Sequence, residues 1–224
     1  IDPIYEIGNI CKDNNIWLHI DGSIGGIFAI SNYKFHKIKE IHNLNIANSI
    51  TINPQKILGI TKTSSILLVD DMNKLKKAFY TGLPYIDSTE EVLNRGELGV
   101  QGSRPAEIIK LWLGLRFLGK DGINDILSSS IKKKFLFENM LDKDKFYIYS
   151  GSLHIISFEP KNMNTDQINK WSLKLKKILL ENKIMISRPL HKNRYILRIV
   201  FGNFNTKESH IIELANFLNK NINE

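Results

Sequence analysis

Two short apolar runs, each stopped by a turn rich in functional groups, constrain this chain more than any other feature. Ile16-Trp17-Leu18-His19-Ile20 ends at Asp21-Gly22-Ser23, and Ala47 to Ile52 ends at Asn53-Pro54. A third run is Ser65-Ile66-Leu67-Leu68-Val69. Runs this short, bounded by turn formers, fit strands of a sheet covered on both faces. They predict an α/β layer. An acidic residue at the C-terminal end of such a strand lies where open α/β sheets bind ligands. Taken alone, Asp21 is a helix cap, a turn former or a ligand-binding group.

Further along, an irregular segment from about Phe79 to Ser103 holds Gly82, Pro84, Gly96, Gly99 and Gly102. Loops of that length in a compact domain are functional or disordered. Pro105 suits a first helical turn, and Ile108, Ile109, Trp112 and Leu113 continue an apolar helix face. A second amphipathic helix is expected from Ile123 to about Leu141. The pattern then changes. Phe146 to Tyr149 and Leu153 to Phe158 read as strands around Ser150-Gly151-Ser152. Thr165-Asp166 is an N-cap signal for a helix through about Glu181. Ile184 to Ile186 and Tyr195 to Val200 read as strands, and Thr206 starts a last helix. This order predicts a small α+β domain with helices on one face of an antiparallel sheet. The expected domains are 1–143 and 144–224.

The net charge is +8, but the lysines are spread along the 224 residues, with small clusters such as Lys132-Lys133-Lys134. No zinc-ligand pattern or aromatic RNA-binding signature accompanies them. Solvated helix faces are therefore expected rather than a nucleic-acid groove, and no metal site. No apolar run is long enough to span a bilayer. Ile1-Asp2-Pro3-Ile4-Tyr5 has no basic or apolar leader region, so no signal peptide is expected. Cys11 is the sole cysteine, which fits a reducing cytoplasm.

A second chemical segment is Thr51-Ile52-Asn53-Pro54-Gln55-Lys56-Ile57-Leu58-Gly59. It sets a lysine just past a strand, in an apolar stretch. A partly buried lysine has its pKa lowered, and the neutral amine attacks carbonyl carbon. The alternative is an exposed surface lysine.

Together these segments resemble the group II pyridoxal-phosphate decarboxylases, the family of glutamate, cysteine-sulfinate and aromatic amino-acid decarboxylases. Trp17-Leu18-His19-Ile20-Asp21 is similar to the family's strand ending in the Asp that pairs with the pyridine nitrogen. Asn53-Pro54-Gln55-Lys56 is similar to its Asn-Pro-His-Lys segment, whose Lys carries the cofactor. Gly59 and Ser64 to Val69 continue the likeness. Gln101-Gly102-Ser103-Arg104, then Lys110-Leu111-Trp112, resembles the family's arginine and the helix after it. Ala78-Phe79 with Tyr85-Ile86 resembles the mobile loop bearing its catalytic Tyr. Leu197-Arg198 resembles a strand of its C-terminal domain.

The resemblance implies an α/β fold: the second half of a fold-type-I large domain, mostly parallel sheet with helices, plus the small C-terminal domain. It implies pyridoxal 5′-phosphate as cofactor and α-decarboxylation of an L-amino acid, acidic first and aromatic second. Lys56 would carry the cofactor, and Asp21 would keep its ring nitrogen protonated. Ser23 would lie against the ring, where the family usually has Ala. Asn53 and Gln55 would join the cofactor site. Arg104 would bind a substrate carboxylate, and Tyr85 would donate a proton, with Tyr80 as rival. Gln55 departs from the family His and cannot carry charge. The family's N-terminal half, which holds the ring-stacking His and most of the phosphate loop, does not precede Ile1. The implied partners are a second copy or a complementing N-terminal half. Gly102-Ser103-Arg104-Pro105 also resembles sphingosine-phosphate lyase, and an inactive partner subunit is a further alternative.

Overall fold

The computed structural model describes residues 1–31, 38–83 and 94–222. Within them the chain forms two compact units. One takes in Asp2–Ser31 and runs on from Lys39 to Gly119, and the other takes in the chain from Lys120 together with Ile1 and Ile38.

In the first unit, helix α1 (Ile4–Asp13) leads to strand β1 (His19–Asp21). β1 pairs in parallel with β2 (Ser49–Ile52), setting His19 opposite Ser49 and Asp21 opposite Thr51. β2 then pairs antiparallel with β3 (Ile66–Val69), giving the order β1-β2-β3. Asn48 ties the three strands together at one end. Its Oδ1 accepts from the Leu18 N–H at 2.9 Å and its Nδ2 donates to Asp70 at 2.9 Å. After β1 the chain turns against the end of β2. A Cβ on Gly22 would lie 2.9 Å from the Thr51 carbonyl oxygen, so this close approach suits glycine.

All three expected strands are present, each shortened at its start. The expected cover on both faces is not met among the described residues. Leu67 is 53% exposed, Leu68 48% and Trp17 48%. One of the two strand junctions is parallel and the other antiparallel. Helix α2 (Pro54–Ile57) follows β2 at once, with Pro54 in its first turn. Helix α3 (Met72–Phe79) was not expected from the sequence. Its cap is Asp71, whose side chain accepts from the Asn73 N–H.

Helix α4 (Glu107–Met140) is broken at Gly119, where φ is 60° and ψ −175°. The main run of the second unit begins at the next residue, and Phe137 and Leu141 belong to its core.

That unit orders strands β4 (Phe146–Ser150), β5 (Ile155–Pro160) and β8 (Leu197–Val200) as an antiparallel sheet β4-β5-β8. Helices α5 (Thr165–Glu181) and α6 (Glu208–Lys220) pack on it. Ile168, Trp171, Leu175 and Leu179 recur at helical spacing and are all buried. Phe146 and Phe158 meet edge to face, with centroids 5.8 Å apart. The cap of α5 is Asn164, in a capping box with Gln167, one residue ahead of the expected Thr165.

Ile184 to Ile186 does not form the expected strand. Lys183, with φ 62°, ends α5 in the left-handed region. The Lys183 and Ile184 amides then donate back to Leu180 and Leu179, a Schellman closure. Only Ser187 bridges to Arg198. The hairpin β6 (Leu190–His191) to β7 (Arg194–Tyr195) was also not expected. Its two-residue turn puts Lys192 (φ 46°) and Asn193 (φ 65°) in positive φ. That is the backbone of a type I′ turn, without the Asn-Gly signal that marks such turns in sequences.

Candidate active site

The end of β1 and the first turn after β2 meet through one hydroxyl. The Lys56 Nζ donates to Ser23 Oγ at 2.8 Å. The Ser23 N–H donates to Asp21 Oδ1 at 3.0 Å, and the Ser23 hydroxyl also bonds that carboxylate. Ser23 therefore bridges the amine and the acid. Its two hydrogen bonds hold the Asp21 carboxyl below the usual carboxylate range, with Lys56 and His19 adding attraction. The local sequence explains the pose. Pro54 and Ile57 are buried and pin α2, which leaves Lys56 on the outer side of the turn. Lys56 is exposed rather than partly buried. Its environment is set by the Ser23 bond, not by removal from water.

Asn53 and Gln55 brace the same turn. Asn53 Oδ1 accepts from the Ser65 hydroxyl at 2.6 Å. Gln55 Oε1 accepts from the Ser64 N–H at 2.8 Å. The partner of that oxygen is a donor, so the orientation of the Gln55 amide is fixed. Among the described residues no acceptor is given for its NH2 group.

Two expected residues are not brought to this cluster. Arg104 Nε donates to the Gln101 carbonyl at 3.1 Å, and its guanidinium lies over Gly99. No contact among the described residues joins Arg104 to Lys56, Ser23 or Asp21. Tyr80 follows α3 and is 63% exposed, with no described contact to the cluster. Tyr85 lies outside the described residues.

The structure adds residues that the sequence reading left without a role. Ser49 Oγ lies 2.8 Å from His19 Nδ1, and Thr51 Oγ1 lies 3.2 Å from His19 Nε2. Trp17 Nε1 donates to the same Ser49 at 2.9 Å. The signal was alternation of period two. His19 and Asp21 on β1, and Ser49 and Thr51 on β2, put polar groups on one face of each strand.

Among the described residues no helix is long and apolar enough to cross a membrane. The chain matches the pyridoxal-dependent decarboxylase conserved domain over residues 1–159, more than half its length. It is 26% identical to Tyrosine decarboxylase 2 of Arabidopsis thaliana, over 98% of this chain and 42% of that protein. It is 30% identical to Acidic amino acid decarboxylase GADL1 of Xenopus tropicalis, over 61% of this chain and 29% of that protein. Its fold is that of the crystal structure of Oryza sativa TDC with PLP and tryptamine. There the TM-score is 0.87 at 18% identity, covering 98% of this chain and 47% of that one. The chain thus spans less than half the length of these relatives. An α/β chain with a Lys56–Ser23–Asp21 cluster behind β1 and β2, matched over residues 1–159, belongs to the pyridoxal-dependent decarboxylases, carboxy-lyases whose cofactor is pyridoxal phosphate.

Proposed function

We propose that this chain supplies the lysine and aspartate side of a pyridoxal-phosphate site for α-decarboxylation of an amino acid. The observation that carries the reading is the Lys56–Ser23–Asp21 line, an exposed amine joined to a carboxylate through one hydroxyl. That donor set fits a group with an aldehyde and a cationic ring nitrogen. When bound, the cofactor supplies the electron sink for the bond that breaks at the substrate α-carbon. Lys56 holds it covalently. Asp21, kept ionised by its hydrogen bonds, holds the proton on the ring nitrogen. Asn53 and Gln55 line the same turn, and the Gln55 amide would donate to the phosphate without adding charge. Arg104 binds a substrate carboxylate with its planar fork. The direct test is borohydride reduction of the complete enzyme. Cofactor trapped on the Lys56 peptide supports the assignment, and cofactor on another lysine removes it.

An acidic amino acid is the first substrate proposed and an aromatic one the second, since relatives with both kinds of name match this chain. The chain works with a second copy or a complementing half. Trp112 and Ile108 on α4, and Leu67 and Leu68 on β3, present large apolar groups to solvent, and apolar surface of this kind favours association.

Asp21→Asn keeps the shape of the carboxylate and loses its charge. Cofactor should still load, more weakly, while kcat falls about a hundredfold or more, as expected when a preorganised charge at the reacting group is removed. Near-normal turnover in that variant would take Asp21 out of the mechanism. Tyr85→Phe should leave cofactor content unchanged and slow product formation by about 10²-fold, the scale of a lost general acid. If Tyr80→Phe does this and Tyr85→Phe does not, the proton donor is Tyr80.

A further inference from the structure

The Lys56–Ser23–Asp21 line runs in one direction, and the groups themselves set it. An ionised carboxylate only accepts. Ser23 has a single hydroxyl hydrogen, and its side chain bonds Asp21, so that hydrogen goes to the acid. Toward Lys56 the Ser23 oxygen can therefore only accept, and the amine donates to it at 2.8 Å. Ser23 itself is tied down, because its own N–H also bonds Asp21 at 3.0 Å. Lys56 is exposed, and Ser23 Oγ is its one described side-chain partner. Two hydrogen bonds in series span about 6 Å at most, so the Lys56 nitrogen lies no farther than that from the carboxylate oxygen that Ser23 engages. A pyridine ring with its nitrogen on that oxygen, and an aldehyde on the opposite ring carbon, needs about 8 Å: one hydrogen bond, the width of the ring and two covalent bonds. The lysine therefore cannot close the line and reach such an aldehyde at the same time. Attachment also consumes the donor. The lone pair of the neutral amine attacks the aldehyde carbon and a carbon–nitrogen double bond forms. The aldehyde oxygen leaves as water, with both amine hydrogens.

We propose that Ser23 is a latch on Lys56: its hydroxyl holds the amine toward Asp21, and the amine leaves that hydroxyl before it takes the cofactor. Loading then requires a swing of the lysine. The anchored serine stays where it is, and the exposed side chain moves. One hydrogen bond sets how much of the amine is available to an incoming aldehyde. This inference rests on the cofactor roles proposed for Lys56 and Asp21.

Two readouts test it, both on the complete enzyme after its cofactor has been stripped with hydroxylamine. The first is the rate at which pyridoxal phosphate is taken up again, followed by visible absorbance. Ser23→Ala should load about 3- to 10-fold faster than the wild type, the size expected of one exposed hydrogen bond. Ser23→Thr keeps the hydroxyl and should load about as slowly as the wild type. The second readout uses formaldehyde with cyanoborohydride, a carbonyl that carries no ring. Methylation of Lys56, measured by peptide mass spectrometry against exposed Lys62, should rise by a similar factor in Ser23→Ala. An Ala variant that loads no faster overturns the proposal, and so does a Thr variant as fast as the Ala variant. Unchanged Lys56 methylation in the Ala variant also overturns it, because the hydroxyl then acts on the ring and not on the amine. Methylation is read without the cofactor. Cofactor trapped on another lysine in the wild type, by contrast, removes the cofactor roles themselves, so the two failures are separable.

Discussion

Lys56→Ala should abolish covalent attachment of the cofactor and lower decarboxylation in the complete enzyme by about 10⁴-fold or more, the scale seen when a covalent catalytic group is deleted. The fold should survive. Lys56 is exposed, and its one described side-chain partner is Ser23 Oγ, so the change in stability should stay within about 0.5 kcal/mol. The turn that presents it is held by buried Pro54 and Ile57 and by the Gln55–Ser64 bond. The check is paired: thermal unfolding for the fold, and visible absorbance with borohydride trapping for the cofactor. A variant that unfolds would make Lys56 structural. A variant that turns over at even a tenth of the normal rate would place the cofactor elsewhere. Ser23→Ala gives a graded companion, because it removes the hydroxyl between amine and acid while leaving both in place.

The parts of this site that lie within one segment were legible in the sequence. Asp21-Gly22-Ser23 after an apolar run, and Asn53-Pro54-Gln55-Lys56 after another, fixed where an acid and an amine would stand. The spacing of Ile168, Trp171, Leu175 and Leu179 likewise marked α5 and its buried face. What was not legible depends on pairing between distant segments. The contact of His19 with Ser49 and Thr51 exists because β1 and β2 run parallel in one particular register, and a one-residue slip would turn those side chains to the other face. The apolar neighbours of Lys56 left both a partly buried and an exposed lysine open, and Ile57 and Leu58 take the inward positions and leave the lysine outside. The β6–β7 hairpin was hidden for a local reason. Lys192 and Asn193 adopt positive φ without a glycine, so no turn signal marks it. Ile184 looked like a strand residue, yet its amide closes α5 by bonding to Leu179.

That unmarked hairpin anchors the C-terminal unit, and breaking its anchor should give the largest stability loss in the chain. Glu159 on β5 is fully buried. Arg194 on β7 grips both of its oxygens through Nε and a terminal nitrogen, and the Tyr149 hydroxyl donates to Oε1 at 2.6 Å. Burial by itself raises the pKa of Glu159, but the bonds from Arg194 and Tyr149 outweigh it and the net shift is downward. Arg194→Met would leave a carboxylate buried with one phenol for company. The expected cost is about 3–5 kcal/mol, the usual result of removing one partner from a buried pair. Arg194→Met combined with Glu159→Gln should lose less, because no buried charge is stranded. The pH dependence has a definite sign. A carboxyl with a folded pKa below its ordinary 4.5 contributes stability above that value, and the contribution is lost as the pH falls through the lower, folded value. Tyr149 is shifted the other way. Burial and its bond to Glu159 raise it above its ordinary 10.0, so its contribution is complete below that pH and is lost as the pH climbs past it. Urea unfolding of the complete protein, followed by Trp171 fluorescence between pH 3 and 7, should show stability falling on the acid side in the wild type. In the double variant that acid slope should be shallower. If Arg194→Met unfolds at the wild-type urea concentration, the pair does not hold the hairpin and β6–β7 is kept in place by its apolar contacts alone.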